Sequence, residues 1–377
     1  MGSPDEEPSI NYLRFILPGK GRTIMATAIA ELAKRPLIQG RLTDESRAIG
    51  GPLFDAFCFW GAPLLASLLV WLWASVALAL PPAAGHAAIT LLIGAIAILT
   101  FAHLIAVVPR AYLNRDVFGS NRLRLTIVPA LLLAALFLSP AILVLGTLLV
   151  VFWDVHHTAM QNFGLGRIYD MKAGNDAHRL RRTDLMLNWA LYVGPLAAGA
   201  SLLSHFAGFG ALATIDLGTL ATAPGVIESH SALIRDLAVA AWLGAILAAA
   251  IFYRTEMRRG YRLPAHKAAL LLTTGGVSIA AWGFAPPFMA FAIVNLFHAI
   301  QYFAIVWLKE GGRIREKLRL APRGRIGFPL FFALCALFGI AYFAANSFKL
   351  FLAPFIACSL LHFWYDSFVW SVRKKQV

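Results

Sequence analysis

Four apolar stretches of this chain carry histidine: FAHLIAVVPR with His103, FWDVHHTAMQNFG with His156 and His157, NLFHAIQYF with His298, and LLHFWYDSF with His362. Ionisable side chains inside lipid-spanning segments are costly and usually functional. Neutral imidazole is a ligand for iron, copper, zinc or nickel, so a set of such histidines at one level predicts a buried metal or haem site. Helical spacing gives each histidine company. Asp154, His157 and Gln161 fall at i, i+3 and i+7; His298, Gln301 and Tyr302 share a second face; His362 and Asp366 stand four apart on a third. The candidate metal ligands are therefore His103, His156, His157, His298, His362 and Asp154. Asp366, Gln161, Gln301 and Tyr302 are candidates to orient a substrate, relay protons or hold the second ring nitrogen of a ligand. His156 points about 100° away from His157, so the two do not serve one ion.

The elements that must position these residues are long apolar runs. Of the 377 residues, 59% are hydrophobic and 14% charged, against roughly a quarter charged in a soluble domain. The runs predict an all-α integral membrane protein with ten spanning helices, near 53–80, 87–108, 123–139, 141–167, 184–204, 231–253, 266–283, 286–308, 327–345 and 349–371. Residues 1–50 read as a cytoplasmic or interfacial leader, amphipathic over 9–37, and 51–377 as one transmembrane domain with a longer outer loop at 205–230. Ser139-Pro140 reads as a turn between the third and fourth helices.

The net charge of +14 comes from lysines and arginines concentrated in alternate loops, with Arg235 and Lys349, each near a helix start, as the exceptions. That is the signature of topology and not of nucleic-acid binding, and it predicts that both termini are cytoplasmic, in a bacterial-type inner membrane. The histidine segments are then the second, fourth, eighth and tenth, all running inward. His157 stands ten residues before Arg167, His298 eleven before Lys309, His362 eleven before Arg373 and His103 seven before Arg110. At about 1.5 Å per residue, three lie roughly 15 Å from the inner charges and the fourth within about 6 Å of that level.

Other residues are less specific. Arg110 and Asp116 suit interfacial anchoring or closure of the site; Asp170, Lys172 and Arg182 suit a solvated loop; Asp55 suits an outer surface or a proton entry point. Cys58, Cys335 and Cys358 lie in apolar runs without metal spacing. His156-His157 resembles one element of the HxxxH/HxxHH pattern of integral-membrane desaturases and hydroxylases, but no HxxxH precedes it. The use of intramembrane histidines is similar in concept to bacterial membrane carotenoid-cleaving dioxygenases, with no shared motif.

The leading expectation is a metal-dependent membrane oxidoreductase of oxygenase type. It would use one or two iron ions, or copper, on a lipophilic small molecule arriving from the lipid, with an electron donor. The alternatives are a haem-b electron carrier, a proton-coupled transporter whose histidines line the path, and a structural or assembly protein.

Overall fold

A computed structural model describes residues 38–321, 324–345 and 352–370. The amphipathic reading of 9–37 and the basic tail Arg373–Lys375 lie outside the described residues. The fold is all-α, and among the described residues the one β element is a two-residue parallel pairing of β1 (Ile38–Gln39) with β2 (Leu263–Pro264).

Ten long helices follow one another: α1 Ala62–Ala79, α2 Pro82–Ile105, α3 Arg122–Leu138, α4 Pro140–Lys172, α5 Arg181–Ala198, α6 Ser231–Arg258, α7 Ala265–Phe284, α8 Pro287–Lys317, α9 Gly327–Ala345 and α10 Leu352–Val369. Eight of them are long and apolar enough to cross a membrane; α5 joins them as a ninth only if it counts together with Leu202–Ile215, to which it is bent by 92°. At 17 residues, α3 is shorter than any of the eight.

The starts are written in the sequence. Pro82, Pro140 and Pro287 sit in the first turn of α2, α4 and α8, where a missing N–H costs nothing and φ is already helical. Ser139 turns the chain between α3 and α4, its hydroxyl accepting from the Ile142 N–H at 3.3 Å.

Several boundaries differ from those expected. The predicted span 53–80 is broken into Pro52–Cys58 and α1, because the chain folds tightly at Phe59–Gly61; a Cβ on Gly61 would meet the Ala56 carbonyl oxygen at 1.8 Å. Helices α4, α6 and α8 run several residues past their apolar segments, carrying polar turns beyond the hydrophobic zone. After α2 a single π-helical turn, Pro109–Leu113, precedes a short helix, Arg115–Ser120, capped by the Asn114 side chain. Wide turns of this kind often mark functional sites; here it turns Arg110 inward.

α8 is the central helix, with 78% of its most apolar 18-residue stretch buried against 11% for that of α6. The 205–230 segment is short helical turns (Ala207–Ile215, Gly218–Ala221, Ala223–Ser229) that lay Phe206 and Phe209 on Phe152 of α4, at ring separations of 5.1 and 5.9 Å.

Two sequence readings are corrected by packing. Asp55 is fully buried rather than at a surface, accepting from the Ile49 and Gly50 N–H groups at 2.7 and 2.8 Å and from Tyr169 at 2.9 Å. Asp170 is not in a solvated loop: it is buried with Arg167, Asp184 and Lys267 in an ionic quartet whose contacts are 2.6–2.7 Å. Two cations face two carboxylates, so the quartet is neutral. Tyr253 and Tyr261 complete its hydrogen bonding, which buried charges require. Burial beside Asp170 holds the Tyr261 phenol well above its ordinary range. Lys172 and Arg182 remain exposed, as a loop reading expects.

Candidate metal centre

α2, α4, α8 and α10 each deliver one imidazole to a common point: His103 from the last turn of α2, His157 from the middle of α4, His298 from α8 and His362 from α10. None is more than 3% exposed. The rings form a closed square. His103 and His157 each neighbour both His298 and His362, with centroids 4.8–5.1 Å apart and planes 70–89° to one another. One nitrogen from each ring can be chosen so that all four lie within 4.8 Å of one another.

The hydrogen bonding shows what this square lacks. His362 Nδ1 lies 2.9 Å from the Leu104 carbonyl, which can only accept, so Nδ1 carries the proton and Nε2 presents its lone pair inward. That Nε2 is 3.2 Å from His157 Nε2. Neither nitrogen of His103 nor of His298 makes a hydrogen bond of normal geometry. Most buried polar groups in proteins are paired, so two imidazoles in this state are a deficit that a cation would meet in part, by taking one nitrogen of each ring.

The size suits an ion. Bonds of about 2.0–2.1 Å place neighbouring ligands of a tetrahedral centre about 3.3 Å apart, close to the His157–His362 separation. The widest separation of 4.8 Å calls for inward shifts of about 0.7 Å per ring to reach that spacing.

Asp366 supplies charge at the edge. Its Oδ2 is 3.8 Å from Nε2 of both His157 and His362, while Oδ1 accepts from the Tyr302 hydroxyl at 2.8 Å and the Trp370 indole at 3.1 Å. The carboxylate is thus oriented by two donors and turned toward two imidazoles. Phe363 packs its ring 4.6 Å from His157 and keeps that side apolar.

Not every candidate joins the group. His156 is excluded: one residue along the helix it is turned to α5, where its Nδ1 accepts from Trp189 Nε1 at 2.7 Å. Asp154 stands one turn before His157 beside the Asn295 side chain, outside the four converging ligands. Gln161 and Gln301 do not hold histidine nitrogens. Gln161 donates to the Gln301 side chain at 3.0 Å and to the His298 carbonyl at 3.1 Å, and Gln301 donates to the Phe59 carbonyl at 3.0 Å, at the break before α1. Their role is to tie α4, α8 and that break together.

Other parts of the setting escaped sequence reasoning. The Leu104 carbonyl, which fixes the His362 tautomer, belongs to a residue type without chemistry and lies 258 positions away in sequence. Arg110 is buried, paired with Glu310 at 2.7 Å, bonded to the Val369 carbonyl at 3.0 Å and stacked over Trp370 at 4.8 Å. It therefore braces the end of α10 that carries Asp366. Its spacing from Glu310 held no signal.

Comparison of the chain with protein-family models, with curated proteins and with solved structures gave no match.

Proposed function

We propose that this chain is a multi-pass integral membrane metalloenzyme in which His103, His157, His298 and His362 hold one redox-active ion, iron in the first place and copper in the second, and act on a lipophilic substrate drawn from the bilayer. The observation that carries this reading is the convergence of four buried imidazoles, two of them without a hydrogen bond of normal geometry among the described residues. Eight helices long and apolar enough to cross a membrane, a ninth if α5 counts with the bent segment after it, and the placing of basic residues in alternate connections support a multi-pass membrane setting; ten crossings with both termini cytoplasmic is the topology we propose, with α3 as the short tenth.

One ion is favoured over two, because two-metal centres with ions about 3.5–4 Å apart need more ligands than one square of imidazoles offers. A haem is disfavoured by the same crowding: a porphyrin plane cannot pass between rings whose centroids are 4.8–5.1 Å apart on all four sides.

Such an ion supplies one-electron and dioxygen chemistry when bound. The chain's own groups then have distinct tasks. The four rings hold the centre. Asp366, at 3.8 Å from two of them, stabilises positive charge there and takes or gives a proton at Oδ2. Tyr302 and Trp370 keep the other oxygen occupied. Phe363 and the surrounding apolar helices exclude water. Electrons for turnover come from a separate donor.

The test is elemental analysis with an optical spectrum on detergent-purified protein, beside His298→Ala and His362→Ala. About one equivalent of iron or copper, without a Soret band and lost in both variants, supports the reading. A Soret band transfers the assignment to a haem carrier. Absence of metal after reconstitution with either ion leaves a translocation path as the reading to pursue.

A further inference from the structure

Away from the histidines, α5 and α7 carry a second buried polar series. Asp184, Asn188 and Tyr192 recur on α5 at i, i+4 and i+8; Lys267, Thr274 and Ser278 recur on α7 at i, i+7 and i+11, followed by Trp282. Each set is one stripe at 100° per residue, and none of the seven is more than 3% exposed.

At the Lys172–Arg181 end the series is fully bonded. It begins in the neutral quartet and continues through Asn188, which donates to the Asp184 carbonyl at 2.8 Å. Asn162 of α4 then donates to Asn188 at 2.6 Å and to Thr274 at 3.0 Å.

Beyond that level the bonding stops but the polar groups continue. Asn162 Oδ1, Tyr192 OH, Ser278 Oγ, Trp282 Nε1 and Ser201 Oγ are all buried and make no hydrogen bond within the protein. Native interiors leave few such groups; here four lie on α5, α7 and the turn after α5, and Asn162, bonded to Asn188 and Thr274, adds a fifth from α4. The seam continues to the end of α5. There the Ala200 N–H lies 3.4 Å from the Gly283 carbonyl, and the half-buried His205 ring stands 5.3 Å from Trp282.

We propose that this seam is a water-holding half-channel, open toward the 202–230 side and closed at the other end by the Arg167–Asp170–Asp184–Lys267 quartet. The donor set identifies the occupant. Ser278, Ser201 and Tyr192 both donate and accept, Trp282 only donates and Asn162 Oδ1 only accepts; a small molecule that does both satisfies them in file. The neutral quartet gives no net charge to draw an ion in. Eight residues separate Trp282 from Thr274, so water penetrates about 12 Å along α7. Asn162 is five positions from His157, about 140° around α4, so this water runs behind the metal centre and the centre stays dry.

The test uses protein whose three cysteines are replaced by alanine, in sealed vesicles, with single cysteines reintroduced and a small membrane-impermeant methanethiosulfonate cation as the probe. Ser278→Cys is the seam position, with Ser201→Cys as a second if the first does not fold. Leu272→Cys, exposed on the outer face of α7, is the lipid-facing control, and Thr219→Cys the aqueous one. Modification is read as a mass increment against time. The expected result is that Ser278→Cys reacts faster than Leu272→Cys, only with reagent on the 202–230 side, and equally fast when His298 is also replaced by alanine. A seam cysteine as inert as Leu272→Cys while Thr219→Cys reacts overturns the proposal, as does equal labelling from both sides.

Discussion

Replacing His298 by leucine separates a metal ligand from a structural histidine by the sign of its effect. In the metal-free protein His298 is fully buried and neither ring nitrogen is bonded. An unsatisfied buried polar group costs about 1–3 kcal/mol, and leucine fills a similar volume without one. The metal-free His298→Leu protein is therefore expected to be more stable than the metal-free wild type by about 1–3 kcal/mol. With metal the order reverses. An ion that binds only the folded state, at a thousand times its Kd, adds about 4.1 kcal/mol to the wild type, and the variant with three rings forgoes most of it. The assay is thermal unfolding in detergent, with and without added iron(II) or copper, alongside metal content. A variant less stable than wild type when both are metal-free refutes the argument, because it means the ring contributes bonds of its own. Retention of a full equivalent of metal refutes it equally.

Asp366→Asn keeps the size and the bonds to Tyr302 and Trp370 but removes the charge facing two imidazoles; metal affinity is expected to fall about 10–100-fold, measured by competition with a chelator. His156→Phe is expected to leave metal stoichiometry unchanged, since its ring is turned to Trp189; loss of metal in that variant would bring His156 back among the ligands. Asp184→Asn leaves two buried cations facing one carboxylate and is expected to cost about 3–5 kcal/mol, seen as lower yield and a lower unfolding temperature with metal content per folded molecule unchanged.

The parts of this molecule legible in its sequence were those that repeat along one helix. Apolar runs marked the long helices, and Ser139-Pro140 the turn between α3 and α4. Counting back from basic residues put His157, His298 and His362 at one depth, because a helix rises by a fixed amount per residue. The 100° step also told His156 from His157. What could not be read were pairings between helices. Gln161 and Gln301 were expected beside imidazoles but bond to one another and to carbonyls, a choice made by the packing of α4 on α8. Asp170 looked like a loop residue, although Arg167 stands three positions before it on α4, because Lys267 and Tyr261 meet it only once α7 and the turn before it are packed on α4. The break at Phe59–Gly61 was hidden because a glycine among apolar residues does not announce how closely another backbone passes.

The clasp around Asp55 decides where this chain can be shortened. Its carboxylate has three donors, two of them the backbone N–H groups of Ile49 and Gly50, and Ile38–Gln39 is paired to Leu263–Pro264 further back. A polypeptide begun at residue 51, where composition turns apolar, would leave a buried anion held by Tyr169 alone and would strip a cover from the end of α7. Any shortening for expression or for fusion to a reporter must therefore keep Ile38 onward, so the hydropathy boundary at residue 51 is not a folding boundary of this protein.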